Sequence, residues 1–216
     1  MQLSKTWRTV AYDHRGTGAT IAPVESISME NMVADLFAVL DKLKVEKCVL
    51  AAESAGGMVA VNAVLQQPER FEGLVLVDAM LHNENDGSDA SFINGLKANF
   101  KETIGGFVDA CVPESESNSA EIRSWGRKIL ARASSKSAVR LLECTHGIDL
   151  RPKLSKIQHR TLILHGDADA LVPLSDSEYL AAQIPNSHLH VVKGAGHVPT
   201  VTRPLEVAQA INEYFS

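Results

Sequence analysis

Strand-sized apolar runs that alternate with helix-period segments constrain this chain more than any other feature. Lys47 to Ala52 (KCVLAA), Gly73 to Asp78 (GLVLVD), Arg160 to His165 (RTLILH) and His188 to Val192 (HLHVV) are too short for helices and too apolar for loops. Arg8 to Asp13 (RTVAYD) has the same strand-like character. Helical patterns lie between them. After Ser28, a residue suited to capping, Val33, Leu36, Phe37, Leu40 and Leu43 recur on one face. Another helix is predicted from near Ala55 to Pro68, a third near Asp176 to Ile184, and a last from Thr202 or Pro204 to about Phe215. Strands that alternate with helices in this way predict an α/β fold with a mostly parallel sheet, because parallel neighbours need long crossover connections.

The rhythm stops between Met80 and Gln158. A polar stretch (His82 to Ser91), helical character around Phe92 to Phe107, a Ser/Glu-rich loop (Pro113 to Ser119) and further helical segments through Leu142 replace it, with no convincing strand. Seventy-odd residues without structure would be implausible inside a compact domain, so a helical insertion is expected. The expected organisation is a first core part at 1–79, the insertion at 80–158, and a second core part at 159–216.

Composition narrows the function. Of the 216 residues 45% are hydrophobic and 22% charged, and the net charge is -5, which fits one globular domain. No Lys/Arg run suggests a nucleic-acid stripe or an anionic-membrane surface. No apolar run reaches membrane-spanning length, and the first residues lack the apolar stretch of a signal peptide. Cys48, Cys111 and Cys144 are odd in number and form no CxxC pair, so they read as reduced thiols of a cytoplasmic protein. The eight histidines include no HExxH or other zinc spacing, and neither a metal nor a cofactor is expected.

Three residues draw attention as chemistry. Ser54 lies in Ala52-Glu53-Ser54-Ala55-Gly56-Gly57, between a strand and a helix, where small neighbours permit a tight turn that projects the hydroxyl. The following helix N-terminus favours developing negative charge, and the Ala55 N–H is the candidate oxyanion donor. His197 lies in the glycine-rich Gly194-Ala195-Gly196-His197-Val198-Pro199 turn after a strand, a suitable place for a general base. Asp169 follows the 160–165 strand within HGDADALVP and is placed to orient that imidazole. Asp78 and Asp167 remain alternative acids. Glu53 reads as partly buried with a local hydrogen bond, its side chain turned from the active face. The Asp13–Arg15 turn reads as a brace for its own loop.

The order Ser54, Asp169, His197, each after a separate strand, resembles the α/β-hydrolase family. Asp13-His14-Arg15-Gly16-Thr17-Gly18 is similar to that family's D-x-R-G-x-G turn, and Asp149-Leu150-Arg151 with Thr161-Leu162-Ile163-Leu164 is similar to its passage from cap to strand. The resemblance spans essentially the whole chain. It implies a nucleophile (Ser54), acid (Asp169) and base (His197), with the acid selected by its spacing from Gly166, and a helical cap. It further implies hydrolysis of a small carboxylic ester or lactone, as in 3-oxoadipate enol-lactonase. A carbon–carbon bond hydrolase, a cofactor-free haloperoxidase-like enzyme, and a weakly active or inactive ligand-binding fragment are the alternatives; oligomeric state is open.

Two departures accompany the likeness. Ala52 stands where the family usually has glycine. The family's first strands, with the His-Gly segment that supplies a second oxyanion donor, have no counterpart in the twelve residues before Asp13. The chain is therefore expected to be a fragment of a longer enzyme, with Ala55 N–H as its remaining main-chain donor. Loss of one such donor typically costs about 10²–10³ in turnover.

Overall fold

The computed structural model describes residues 2–216. Its principal elements are α1 (Met29–Lys42), β1 (Cys48–Glu53), α2 (Gly56–Gln66), β2 (Phe71–Val77), β3 (His82–Asn83), α3 (Ala90–Ala98), α4 (Phe100–Cys111), α5 (Ser119–Leu130), α6 (Ser135–Glu143), β4 (Ile148–Asp149), β5 (Arg160–Gly166), α7 (Leu174–Gln183), β6 (Ser187–Val192), α8 (Pro199–Thr202) and α9 (Pro204–Phe215). The four longer strands form one parallel sheet in the order β1-β2-β5-β6. The α/β expectation thus holds. No helix among the described residues is long and apolar enough to cross a membrane.

Strand alternation divides the core into two layers. Leu74, Leu76 and Ile163 face one way, onto apolar residues of α1, α2 and α7 such as Phe37, Met58 and Leu180. Val75, Val77, Leu162 and Leu164 face the other way and meet Val207, Ala210 and Ile211 of α9. Burial on both faces explains why the central strands read as continuous apolar runs rather than alternating ones. Each fully buried Leu, Ile or Val contributes roughly 1.5–3 kcal/mol relative to exposure. α1 begins where Ser28 Oγ accepts the Asn31 N–H at 3.2 Å.

Pairing in register brings Glu53 opposite Val77, Val77 opposite Leu164, and Gly166 opposite Val192. All four strands therefore end at one edge of the sheet, and the loops after them share that edge.

Arg8 to Asp13 is not a strand. Arg8 to Ala11 are exposed, and among the described residues no strand precedes β1. Strand propensity forms no strand without a partner ladder. β1 is accordingly an edge strand, bonded to β2 on one side only. The nearby turn is well tied: Arg15 holds Asp35 of α1 at 2.6 and 2.7 Å, and Asp13 Oδ2 accepts the Ala19 N–H at 2.8 Å.

Between β2 and β5 the chain is largely helical. The helical stretch expected around 92–107 is divided at Asn99 into α3 and α4. Ile93, Leu96, Ile104 and Val139 make a small separate apolar cluster. α5 has no buried residue, and Trp125 and Ile129 on it are exposed. One detail corrects the expectation of no strand here. β3 and β4 pair antiparallel, His82 with Asp149 and Asn83 with Ile148. Arg151 clasps Glu84 and Asp149 beside them, at 2.7 and 2.8 Å. Two-residue strands carry no periodicity that a sequence could reveal.

Candidate active site

Ser54 directly follows β1 and has φ +53°, the left-handed region. Such a conformation costs a non-glycine residue about 1–3 kcal/mol and persists only where the surroundings impose it. Here Ser54 N–H donates to Val77 O at 2.9 Å, and Ser54 O accepts from Gly57 N–H at 2.9 Å and Met80 N–H at 3.1 Å. Ala52 leaves room at this turn: a Cβ built at Gly56 would lie 3.8 Å from that of Ala52, an ordinary van der Waals contact.

The turn aims Ser54 Oγ at His197, whose Nε2 lies 2.9 Å away. His197 Nδ1 lies 2.7 Å from Asp169 Oδ2. An ionised carboxylate only accepts, so the proton belongs on Nδ1 and Nε2 is left to accept the serine O–H. His197 is 3% exposed. Asp169 Oδ1 accepts the N–H groups of Leu171 at 2.7 Å and Val172 at 3.1 Å. Burial pushes the Asp169 carboxyl upward, but the hydrogen bond and charge of His197 and the two N–H groups outweigh it and hold the group below its ordinary value.

The other two aspartates have partners other than His197. Asp78 follows β2 with φ +43°; its Oδ1 accepts the Gly166 N–H at 2.9 Å, and its buried Oδ2 has no partner. Burial, reinforced by the negative charges of Asp169 and Glu53 and opposed by the Gly166 N–H, pushes Asp78 up to about 8. Its histidine neighbour is His165, with Nδ1 3.4 Å from Oδ1. Asp167 accepts the Gly194 N–H at 2.6 Å and lies 3.3 Å from Lys193 Nζ.

His165 has no signature in the sequence that marks it for the site. It is fully buried, with Nε2 donating to Val172 O at 3.1 Å and Nδ1 accepting the Ser177 hydroxyl at 2.8 Å. Burial lowers its pKa, which keeps it neutral. Ligand atoms of Asp78, His165 and Asp169 lie within 4.8 Å of one another, a spacing compatible with a cation. Asp78 Oδ1, His165 Nδ1 and Asp169 Oδ2 are engaged with the Gly166 N–H, the Ser177 hydroxyl and His197 Nδ1, which ties the cluster into the hydrogen bonds around the Asp169 loop.

Glu53 accepts the Thr200 hydroxyl at 2.8 Å, and burial raises its pKa against the opposing effects of Thr200 and His197. The bond is not local as expected: Thr200 is remote in sequence and meets Glu53 because β1 and α8 share the sheet edge. Ala55 precedes the first turn of α2, and its N–H donates to no acceptor in the hydrogen bonds of the described residues.

Comparison with known proteins identifies the family and the fold. Residues 4–201 match the family described as serine aminopeptidase, S33. A protein of Pseudomonas syringae pv. syringae (strain B728a), named "Putative carbamate hydrolase RutD", is 27% identical over 222 residues, covering 99% of this chain and 85% of its own length. A thermophilic esterase from Thermogutta terrifontis superposes with TM-score 0.79 at 28% identity, over 94% of this chain and 77% of its own. The enol-lactonase from Burkholderia xenovorans LB400 reaches TM-score 0.85 at 18% identity, over 94% and 78%, a likeness of fold alone. The chain therefore belongs to the serine aminopeptidase S33 family and is an α/β-hydrolase enzyme.

Proposed function

We propose that the chain is a serine hydrolase that cleaves a carboxylic ester or lactone of a small molecule through an acyl-enzyme. The observation that carries this reading is the continuous line Ser54 Oγ, His197 and Asp169, with contacts of 2.9 and 2.7 Å. Ser54 is the nucleophile. His197 takes its proton through Nε2 as Oγ attacks the carbonyl carbon, and returns it to the leaving oxygen. Asp169 keeps the imidazole in the correct tautomer and stabilises its charged form. The Ala55 N–H and the N-terminus of α2 face the developing oxyanion. Water activated by His197 then releases the acid and restores Ser54.

In this reading 1–79 and 159–216 form the catalytic core, and 80–158 is a cap that shapes the substrate space. The three cysteines are unpaired, which supports a reducing, cytoplasmic setting. The esterase relative supports an oxygen ester as substrate. The relative named for carbamates favours a second reading, attack of the same serine on a carbamate carbonyl.

A fluorophosphonate probe is expected to label wild-type chain at Ser54, and Ser54→Ala is expected to abolish both labelling and p-nitrophenyl acetate hydrolysis. Faster turnover of a carbamate than of its matched ester would move the assignment to the second reading. A folded wild-type sample that neither labels nor turns over either compound would remove the proposal.

A further inference from the structure

Glu116 lies in the loop between α4 and α5, a Ser/Glu-rich stretch of the composition common in solvated loops. Its carboxyl group is instead fully buried. Oε2 pairs with Arg203 Nη1, and Oε1 accepts the Gly196 N–H at 3.3 Å. Gly196 immediately precedes His197, and Arg203 lies between α8 and α9, six residues beyond it. The end of α4 and the same loop make two further contacts with the histidine turn. Cys111 O accepts the His197 N–H at 2.9 Å, and a Cβ added to Gly196 would meet Pro113 Cδ at 2.3 Å and Cys111 O at 2.5 Å. The loop is itself secured from behind, where Arg123 donates to Val112 O at 2.9 and 2.7 Å.

A carboxylate loses its hydration on burial and is retained only where partners replace it. Here both partners flank His197 in sequence. The main chain before the imidazole and the guanidinium after it are held by one carboxyl group that belongs to the helical segment. We propose that Glu116 is a positioning residue for His197, fixing from the helical segment the turn that presents the imidazole to Ser54. This inference rests on the reading of His197 as the general base. The helical segment then does more than bound the substrate space, because it also sets the geometry of the proton transfer. Errors of about 1 Å in such geometry cost roughly a hundredfold in rate.

The test uses the full chain as wild type, Glu116→Ala, Glu116→Gln and Arg203→Gln. Fluorophosphonate titration counts reactive Ser54, and p-nitrophenyl acetate turnover is expressed per reactive site. Glu116→Ala is expected to lose about tenfold to a hundredfold in kcat per site with KM within about twofold. Glu116→Gln, whose amide oxygen still accepts the Gly196 N–H, is expected to recover most of that loss, with Arg203→Gln between the two. A purely structural role would lower the number of reactive sites and leave kcat per site unchanged; that result overturns the proposal. Should Glu116→Ala not fold, Arg203→Gln decides by the same criterion. A wild-type chain without labelling or turnover defeats the hydrolase reading instead. In that case the downfield His197 Nδ1 proton resonance, assigned with His197→Ala, decides: moved in Glu116→Ala it supports the clamp, unmoved it overturns it.

Discussion

The loops that leave β2 and β5 each bring an aspartate into the same buried corner, and the two reach opposite charge states. Asp169 has the His197 imidazole on one oxygen and two main-chain N–H groups on the other, and is held low. Asp78 has a single N–H on one oxygen, nothing on the other, and the negative Asp169 and Glu53 nearby. Both side chains are shielded from solvent. Donor count and neighbouring charge therefore decide which group is an anion at neutral pH. Only the anion is suited to stabilising an imidazolium.

The contrast has consequences of graded size. Asp169→Asn should be the most damaging, lowering kcat about 10⁴-fold by removing the anion that fixes the His197 tautomer. A fall no larger than that of Asp78→Asn in the same ester assay would break the contrast.

Stability should separate the pair next. The Asp78 carboxyl rises from its ordinary 3.8 to about 8, so between those two values the unfolded chain has released a proton that the folded chain keeps. Folding stability from this group falls as pH rises through that window and is level above it, at most about 1.4 kcal/mol per pH unit. Asp78→Asn should remove that slope in denaturant titrations at stepped pH. Asp169 is depressed, so its contribution is present above its unfolded value and is lost as pH falls through the folded one. Asp169→Asn should thus lower stability by a constant amount across the neutral region and remove the slope on the acid side.

The smallest effect belongs to Asp167, whose hydrogen bond to Gly194 holds a surface turn. Asp167→Asn should change kcat within about twofold, as surface substitutions commonly do. A larger loss would mean that the turn before His197 is held more from the Asp167 side than from Glu116.

How far these features were legible depends on how local their causes are. The Ser54 and His197 turns carry their own glycines and small residues, so each is written within six consecutive positions. Asp169 is set by a short spacing from Gly166. The central strands show because both faces are buried. The charge state of Asp78, by contrast, depends on what β5 and the Asp169 loop bring against it, and one residue in a chain carries no trace of that. Glu116 looks like a solvated loop residue because its partners, Gly196 and Arg203, lie far along the chain, 80 and 87 residues later. Arg8 to Asp13 failed for the same reason in reverse: its composition suits a strand, but a strand exists only where another accepts its hydrogen bonds.

β1 has bearing beyond the site. Its outer row of peptide groups belongs to the strand that leads into Ser54, and no ladder among the described residues covers it. Such a row is a template that recognises backbone without regard to side chains, so a second copy can satisfy it. Lys44, Glu46 and Lys47, just ahead of β1, supply charge that opposes such stacking near its first residues, while Val49 to Ala52 have none. Pairing along that row would act on the strand that leads directly into Ser54, so protein concentration would bear on the turn that strand carries.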